Sequence, residues 1–153
     1  MNGREDKKSN NLFFLCSLIE YIARKTKNKR SYIVNQIGKK ELTHIYEYAD
    51  IYHSENIDKV MSELIEKCDI NDGTYDNLSN CKYNIPTHWD IGKVYKRLII
   101  QLGKTQNRDY IELLIEVYNS WISAKIDDYN SSMYYENESY LYESYLAGKV
   151  LVQ

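Results

Sequence analysis

The chain has 153 residues, 43% hydrophobic and 27% charged, with a net charge of −2, one proline and six glycines. Such a composition excludes collagen-like, disulfide-scaffold and wholly disordered chains, and so few turn residues argue against a sandwich or barrel, which needs them every ~8–12 positions. No apolar run approaches the ~20 residues of a membrane span and no signal-peptide core opens the chain, so a soluble, cytoplasmic, all-α single-domain bundle of six or seven helices is expected.

Residues 1–9 are polar and read as a disordered tail ahead of one helical domain, 10–153. A first helix, about 10–26, places Leu12, Leu15, Cys16, Ile19, Ile22 and Ala23 at helical spacing, and Phe13, Phe14 and Leu18 widen the stripe enough to make it the central helix. Ser31 opens a short helix that carries Ile33, Val34 and Ile37 and stops at Gly38. A third helix is expected over about 40–53 through Leu42, Ile45, Tyr46, Ala49 and Tyr52, and Asn56 caps a fourth, from Ile57 to Cys68. Residues 69–86 carry no period and join two halves, 10–68 and 87–148. Loops this long in compact domains are usually functional or flexible.

Thr87 and Asp90 have capping-box spacing at the start of a fifth helix, which Gly103 is expected to end. The sixth, about 108–129, is the longest expected, and after a polar link at Asn130-Ser131-Ser132 a last helix runs from about Asn137 to Ala147. Helices five and six should pack as a hairpin.

Charge is laid out in blocks: +7 over residues 1–40, −8 over 41–80, +5 over 81–108 and −6 over 109–153. Such blocks neutralise one another across a bundle or leave one basic and one acidic face. The sixteen tyrosines, with the wealth of Ile, Asn and Lys, fit an AT-rich genome, and tyrosine also supplies contact area at low entropy cost in binding surfaces. Cys16, Cys68 and Cys81 form no paired motif and read as reduced thiols.

No phosphate loop, metal-ligand spacing or nucleophile elbow is present, so no catalytic residue, metal site or cofactor is assigned. His44, His53 and His88 are too scattered to form a ligand set by spacing. The best enzyme candidate is Cys81 in the long loop with His88 at a helix start seven residues on, as in a small cysteine-dependent enzyme. Residues 31–48 have the outline of a helix-turn-helix, but the second helix bears Glu41, Glu47 and Asp50, which phosphates would repel. The basic segment 24–40, with Arg24, Lys25, Lys27, Lys29 and Arg30, remains available for nucleic-acid backbone contacts.

The run from Phe13 to Ala23 (FFLCSLIEYIA), then Ile45-Tyr46, Ala49 to Ser54 (ADIYHS) and Ile57 to Lys67, resembles a short uncharacterised family of small helical proteins of low-GC Gram-positive bacteria. That family pairs an aromatic helix of Cys-x-x-Glu-Tyr-Ala character with Tyr-x-x-Leu-His-Thr and an acidic amphipathic helix. Here three residues separate Cys16 from Glu20, and Ile51-Tyr52-His53-Ser54 stands where the family has Leu-His-Thr. The resemblance covers residues 12–68. Members are often encoded beside ADP-ribosyltransferase-like toxin genes, so it implies an antitoxin or accessory role.

The expected function is therefore a non-enzymatic interaction module, antitoxin-like or a phage- or mobile-element-borne inhibitor, that masks a partner protein. Nucleic-acid binding is the alternative. Six tyrosines fall between Tyr129 and Tyr145, and a short helix can turn few of them inward. Tyr134, Tyr135 and Tyr140, flanked by Glu136 and Glu138, are expected to stay exposed and to meet a basic partner surface.

Overall fold

The densest apolar stripe of the sequence becomes the centre of the structure. In the computed structural model, which describes residues 3–152, α1 (Gly3–Thr26) buries Leu12, Phe14, Leu15, Cys16, Leu18, Ile19, Ile22 and Ala23. Its apolar residues cover so much of the helix circumference that four helices can pack on it. The chief one is α5 (His88–Gln106), with α2 (Arg30–Glu47), α3 (Ala49–Ser54) and α4 (Ile57–Lys67) on other sides. The two halves of the sequence thus share one core along the α1–α5 contact. The remaining helices are α6 (Tyr110–Tyr118), α7 (Trp121–Ile126) and α8 (Glu138–Ala147), with a 3-10 turn at Met133–Tyr135. There is no strand among the described residues, and the fold is all-α and single-domain.

Gly92 makes the α1–α5 approach possible. A Cβ there would lie 2.8 Å from the backbone N and Cα of Ser17, so the helices meet backbone to backbone. Around that point Leu12, Ile19, Ile91, Tyr95, Leu98 and Ile99 close into one core with Leu114, Tyr118 and Ile122.

Several caps form as their residues dictate. The Asn56 carboxamide oxygen accepts from Asp58 N at 2.8 Å, and the Thr87–Asp90 box closes in both directions at 3.0 and 2.8 Å. Asn137 caps α8, and Gly148, at φ 75°, ends it. Gly38, at φ 81° and ψ 160°, bends α2 where the sequence marks a stop.

Four boundaries differ from expectation, each for a physical reason. Residues 3–9, read as a disordered tail, are the first turns of α1, while Met1 and Asn2 lie outside the described residues. Extending an anchored helix adds one hydrogen bond per residue fixed, and Lys7 reaches Asp50 at 3.6 Å. The helix expected over 40–53 breaks at Tyr48, a turn that carries α3 back to α1, where His53 stacks on Phe14 with centroids 5.4 Å apart. Gly103 does not end α5. It lies under the Tyr110 ring, too close for a Cβ, and the helix stops at Asn107, which takes a left-handed φ of 52°. The helix expected over 108–129 is split into α6 and α7, because the Asn119 side chain donates to the Ile115 carbonyl and the Ser120 hydroxyl to that of Val117.

The charge blocks do pair across the bundle. Lys7–Asp50 (3.6 Å), Lys39–Glu112 (3.5 Å), Arg97–Glu138 (3.4 Å) and Arg108–Glu116 (2.9 Å) each join a basic block to an acidic one. All four are exposed, so each contributes roughly 0–1 kcal/mol. The three cysteines are free thiols, and no helix among the described residues is long and apolar enough to cross a membrane.

Candidate functional site

Two arrangements carry chemistry: a surface groove rimmed by tyrosine, and a buried charged network closed by the long loop. The groove follows from the geometry of three segments. The end of the long loop brings Ile85 and Pro86 to the start of α5, where Asp90, Lys93, Val94 and Arg97 succeed one another, and the 3-10 turn lays Tyr134 and Tyr135 alongside. The space between them is about 400 Å³. Tyr135 is 69% exposed and Ile85 49%, and Tyr83, two residues before Ile85, is 66% exposed.

The sequence-derived set divides here. Tyr134, Tyr135, Glu136 and Glu138 share one shallow depression with Val94 and Leu141, next to the larger groove. Tyr140 belongs elsewhere. It is half-buried against the core, and its hydroxyl donates to the Leu151 carbonyl at 2.7 Å. The aromatic cluster that does line up is an edge-to-face series, Tyr129 with Tyr134 (5.6 Å) and Tyr134 with Tyr135 (5.0 Å), running from the core to the surface. Tyr83 and Ile85 were not singled out in the sequence. They sit in a segment without period, and only the fold shows that both face solvent and that Ile85 lines the groove with Tyr135.

The acids are partly committed to the chain itself. Glu138 pairs with Arg97, Glu136 accepts from the Ser132 hydroxyl at 2.8 Å, and Asp90 closes the capping box. The groove therefore carries both signs, with Lys93 and Arg97 on α5 beside the acids.

The basic segment 24–40 is not a uniform surface. Arg30 is 1% exposed and sends Nε and one terminal nitrogen to the two carboxylate oxygens of Glu20, at 2.8 and 2.6 Å. Arg24 Nε reaches the same carboxylate at 2.7 Å, and the Tyr129 hydroxyl donates to it as well. Two of the five cations proposed for nucleic acid are thus spent on one buried glutamate, leaving Lys25, Lys27 and Lys29 exposed. The signal was present: Glu20 lies between Ile19 and Ile22 on the buried arc, where a carboxylate needs cationic partners. Burial alone would raise the Glu20 pKa, but the hydrogen bonds and charge of Arg30, with the Arg24 charge and Tyr129, hold it below the usual carboxylate range.

Asp127 is the network's second carboxyl. It accepts from the Tyr95 hydroxyl at 2.9 Å and from Ser123 at 3.3 Å, with no cation bonded to it. Burial and the nearby Glu20 charge raise its pKa to about 7. The folded state therefore holds this proton more tightly than the unfolded chain does. Stability supplied by that proton is full below the unfolded value of about 3.9 and is lost as pH rises to 7. Asp127→Asn is expected to flatten the decline in urea midpoint between pH 4.5 and 7.5, a change that denaturation at a series of pH values reads directly.

The long loop is a strap over this network. Gly73 N donates to the Thr26 carbonyl (2.7 Å), Tyr75 N to that of Lys27 (2.9 Å), and the Asn77 amide to that of Asp127 (2.7 Å). Asn130 adds two bonds, accepting from Lys82 N and donating to the Asn80 carbonyl. The Tyr75 ring then lies over the Arg30 guanidinium at 5.8 Å.

Cys81 and His88 do not form a catalytic pair. The Cys81 thiol faces the carbonyls of Tyr83 and Tyr129, whereas the His88 ring packs between Tyr21 and Trp89. No group of three or more metal-ligating side chains occurs among the described residues. Comparison of this chain with family models, curated proteins and solved structures finds no match.

Proposed function

We propose that the chain is a protein-interaction module and that the groove between α5, the end of the long loop and the 3-10 turn is its binding face. One observation carries this reading: the exposed Tyr135 and Ile85 both line a groove of about 400 Å³, and the exposed Tyr83 precedes Asn84, the first loop residue of that lining. Apolar rims around a recess are where partner side chains are desolvated, and tyrosine is enriched among residues that dominate binding energy. The groove has charge of both signs, so a partner is selected first by an apolar side chain that fills the recess and only then by charge. A masking role of the antitoxin or inhibitor kind fits such a surface. That finer reading is motivated by the resemblance we propose for residues 12–68 to the toxin-linked helical family.

The double variant Tyr83→Ser/Tyr135→Ser tests it. Each tyrosine is worth roughly 1–2 kcal/mol at a hot spot, so affinity for the partner recovered from the native host should fall more than tenfold. The melting temperature should stay within 2–3 °C (roughly, because exposed substitutions change stability by about 0.5 kcal/mol or less). Unchanged affinity would place the binding face elsewhere.

A further inference from the structure

A second cavity, of about 310 Å³, opens between the start of α2 and the α6–α7 junction and shares no lining residue with the tyrosine groove. Lys29, Arg30 and Ser31 form one side of it, Ser123 and Asp127 another, and Tyr75 of the strap lies across it. We propose that this cavity is a binding site for a small anion bearing a carboxylate or phosphate group.

The donor side is built and held in place. Three hydrogen bonds, two to Glu20 and one to the Asn28 carbonyl, engage three of the five N–H groups of Arg30, so a fixed, buried guanidinium still has donors to offer. Lys29 stands at the start of α2 without an ion pair among the described residues. The first turn of α2 has no side-chain cap, so the backbone N–H groups of Arg30 and Ser31 add their share of positive potential at the same place. Ser31 and Tyr75, each with a hydroxyl able to donate, line the same space. Because Glu20 locks Arg30 before any ligand arrives, little ordering is needed on binding.

Asp127 sets the condition for occupancy. Protonated, its carboxyl can donate to an anion, and ionised, it repels one. The groups that bear on it are Glu20 of α1, Arg30 of α2, Tyr75 of the strap, Tyr95 of α5, and Tyr129. Glu20 is already matched by Arg24 and Arg30, so Asp127 is the group whose charge changes near neutral pH. Anion affinity should therefore fall as pH rises past 7.

Calorimetric titration of the full chain with sulfate, whose charge is constant in this range, and with acetate tests the proposal and distinguishes a phosphate-like ligand from a carboxylate. Saturable binding about tenfold tighter at pH 6 than at pH 8 is expected, one proton being linked to occupancy. Asp127→Asn should bind equally at both pH values, and Lys29→Glu, an exposed change, should lose binding while keeping its melting temperature. Tyr83→Ser/Tyr135→Ser should bind the anion like the wild type, which separates this site from the tyrosine groove. Absence of saturable binding of either anion at pH 6, or binding untouched by Lys29→Glu, would overturn it.

Discussion

Replacing Arg30 by methionine is expected to lower the unfolding free energy by roughly 3–5 kcal/mol, because Glu20 would stay buried with its main partner removed. Arg24 reaches the same carboxylate through Nε, but its side chain is more exposed, so it replaces the bidentate contact only in part. The damage should be specific to the unpaired charge. The double variant Glu20→Leu/Arg30→Met removes both ions and should recover much of the loss, since apolar groups of similar volume often replace a buried pair at little cost. Urea denaturation of the wild type, the single and the double variant at pH 7 decides this. If the single variant were within about 0.5 kcal/mol of the wild type, the network would not be a keystone of the core.

Gly92→Ala should be the next most damaging single change, at roughly 1–3 kcal/mol or more, as expected for forcing a methyl into a packed interface. The added carbon would meet the Ser17 backbone N and Cα at 2.8 Å, and only the Ser17 hydroxyl, which it would meet first, could rotate away. Ser17→Gly should therefore fail to rescue it, because the clashing backbone remains. Ser17→Ala on its own should be neutral or mildly stabilising, since the Ser17 hydroxyl is buried without a hydrogen-bond partner. Thermal unfolding of the three variants separates backbone contact from side-chain contact.

Periodicity was enough to read most of the helices, because each had to bury one face: α4 and α5 follow their apolar stripes, and their caps lie at Asn56 and Thr87 as their side chains require. What failed was local, and two side chains show why. Gly103 has the chemistry of a terminator, yet it serves as the place where Tyr110 rests, a tertiary demand that no local rule contains. The Asn119-Ser120 pair looks tolerable inside a helix, yet both side chains bind backbone carbonyls and end α6. The candidate site was legible only in part for a related reason. A count of charge along the chain treats Arg30 like Lys29, although one is neutralised inside the core and the other faces solvent. Likewise the tyrosine excess singled out the segment 129–145, in which Tyr134 and Tyr135 line a recess. Tyr140 satisfied the same pattern but is tied to Leu151, and Tyr83 and Ile85 came from a stretch with no period at all.

The binding face can be tested most directly by site-specific photo-crosslinking in the native host. A photoreactive amino acid is placed in turn at position 135, at position 83 next to the lining residue Asn84, and at position 48, where Tyr48 is exposed, packs on His44 and does not line the groove. The account predicts that one and the same protein is captured from positions 135 and 83 and not from position 48. Capture from position 48 alone, or of different proteins from 135 and 83, would contradict it.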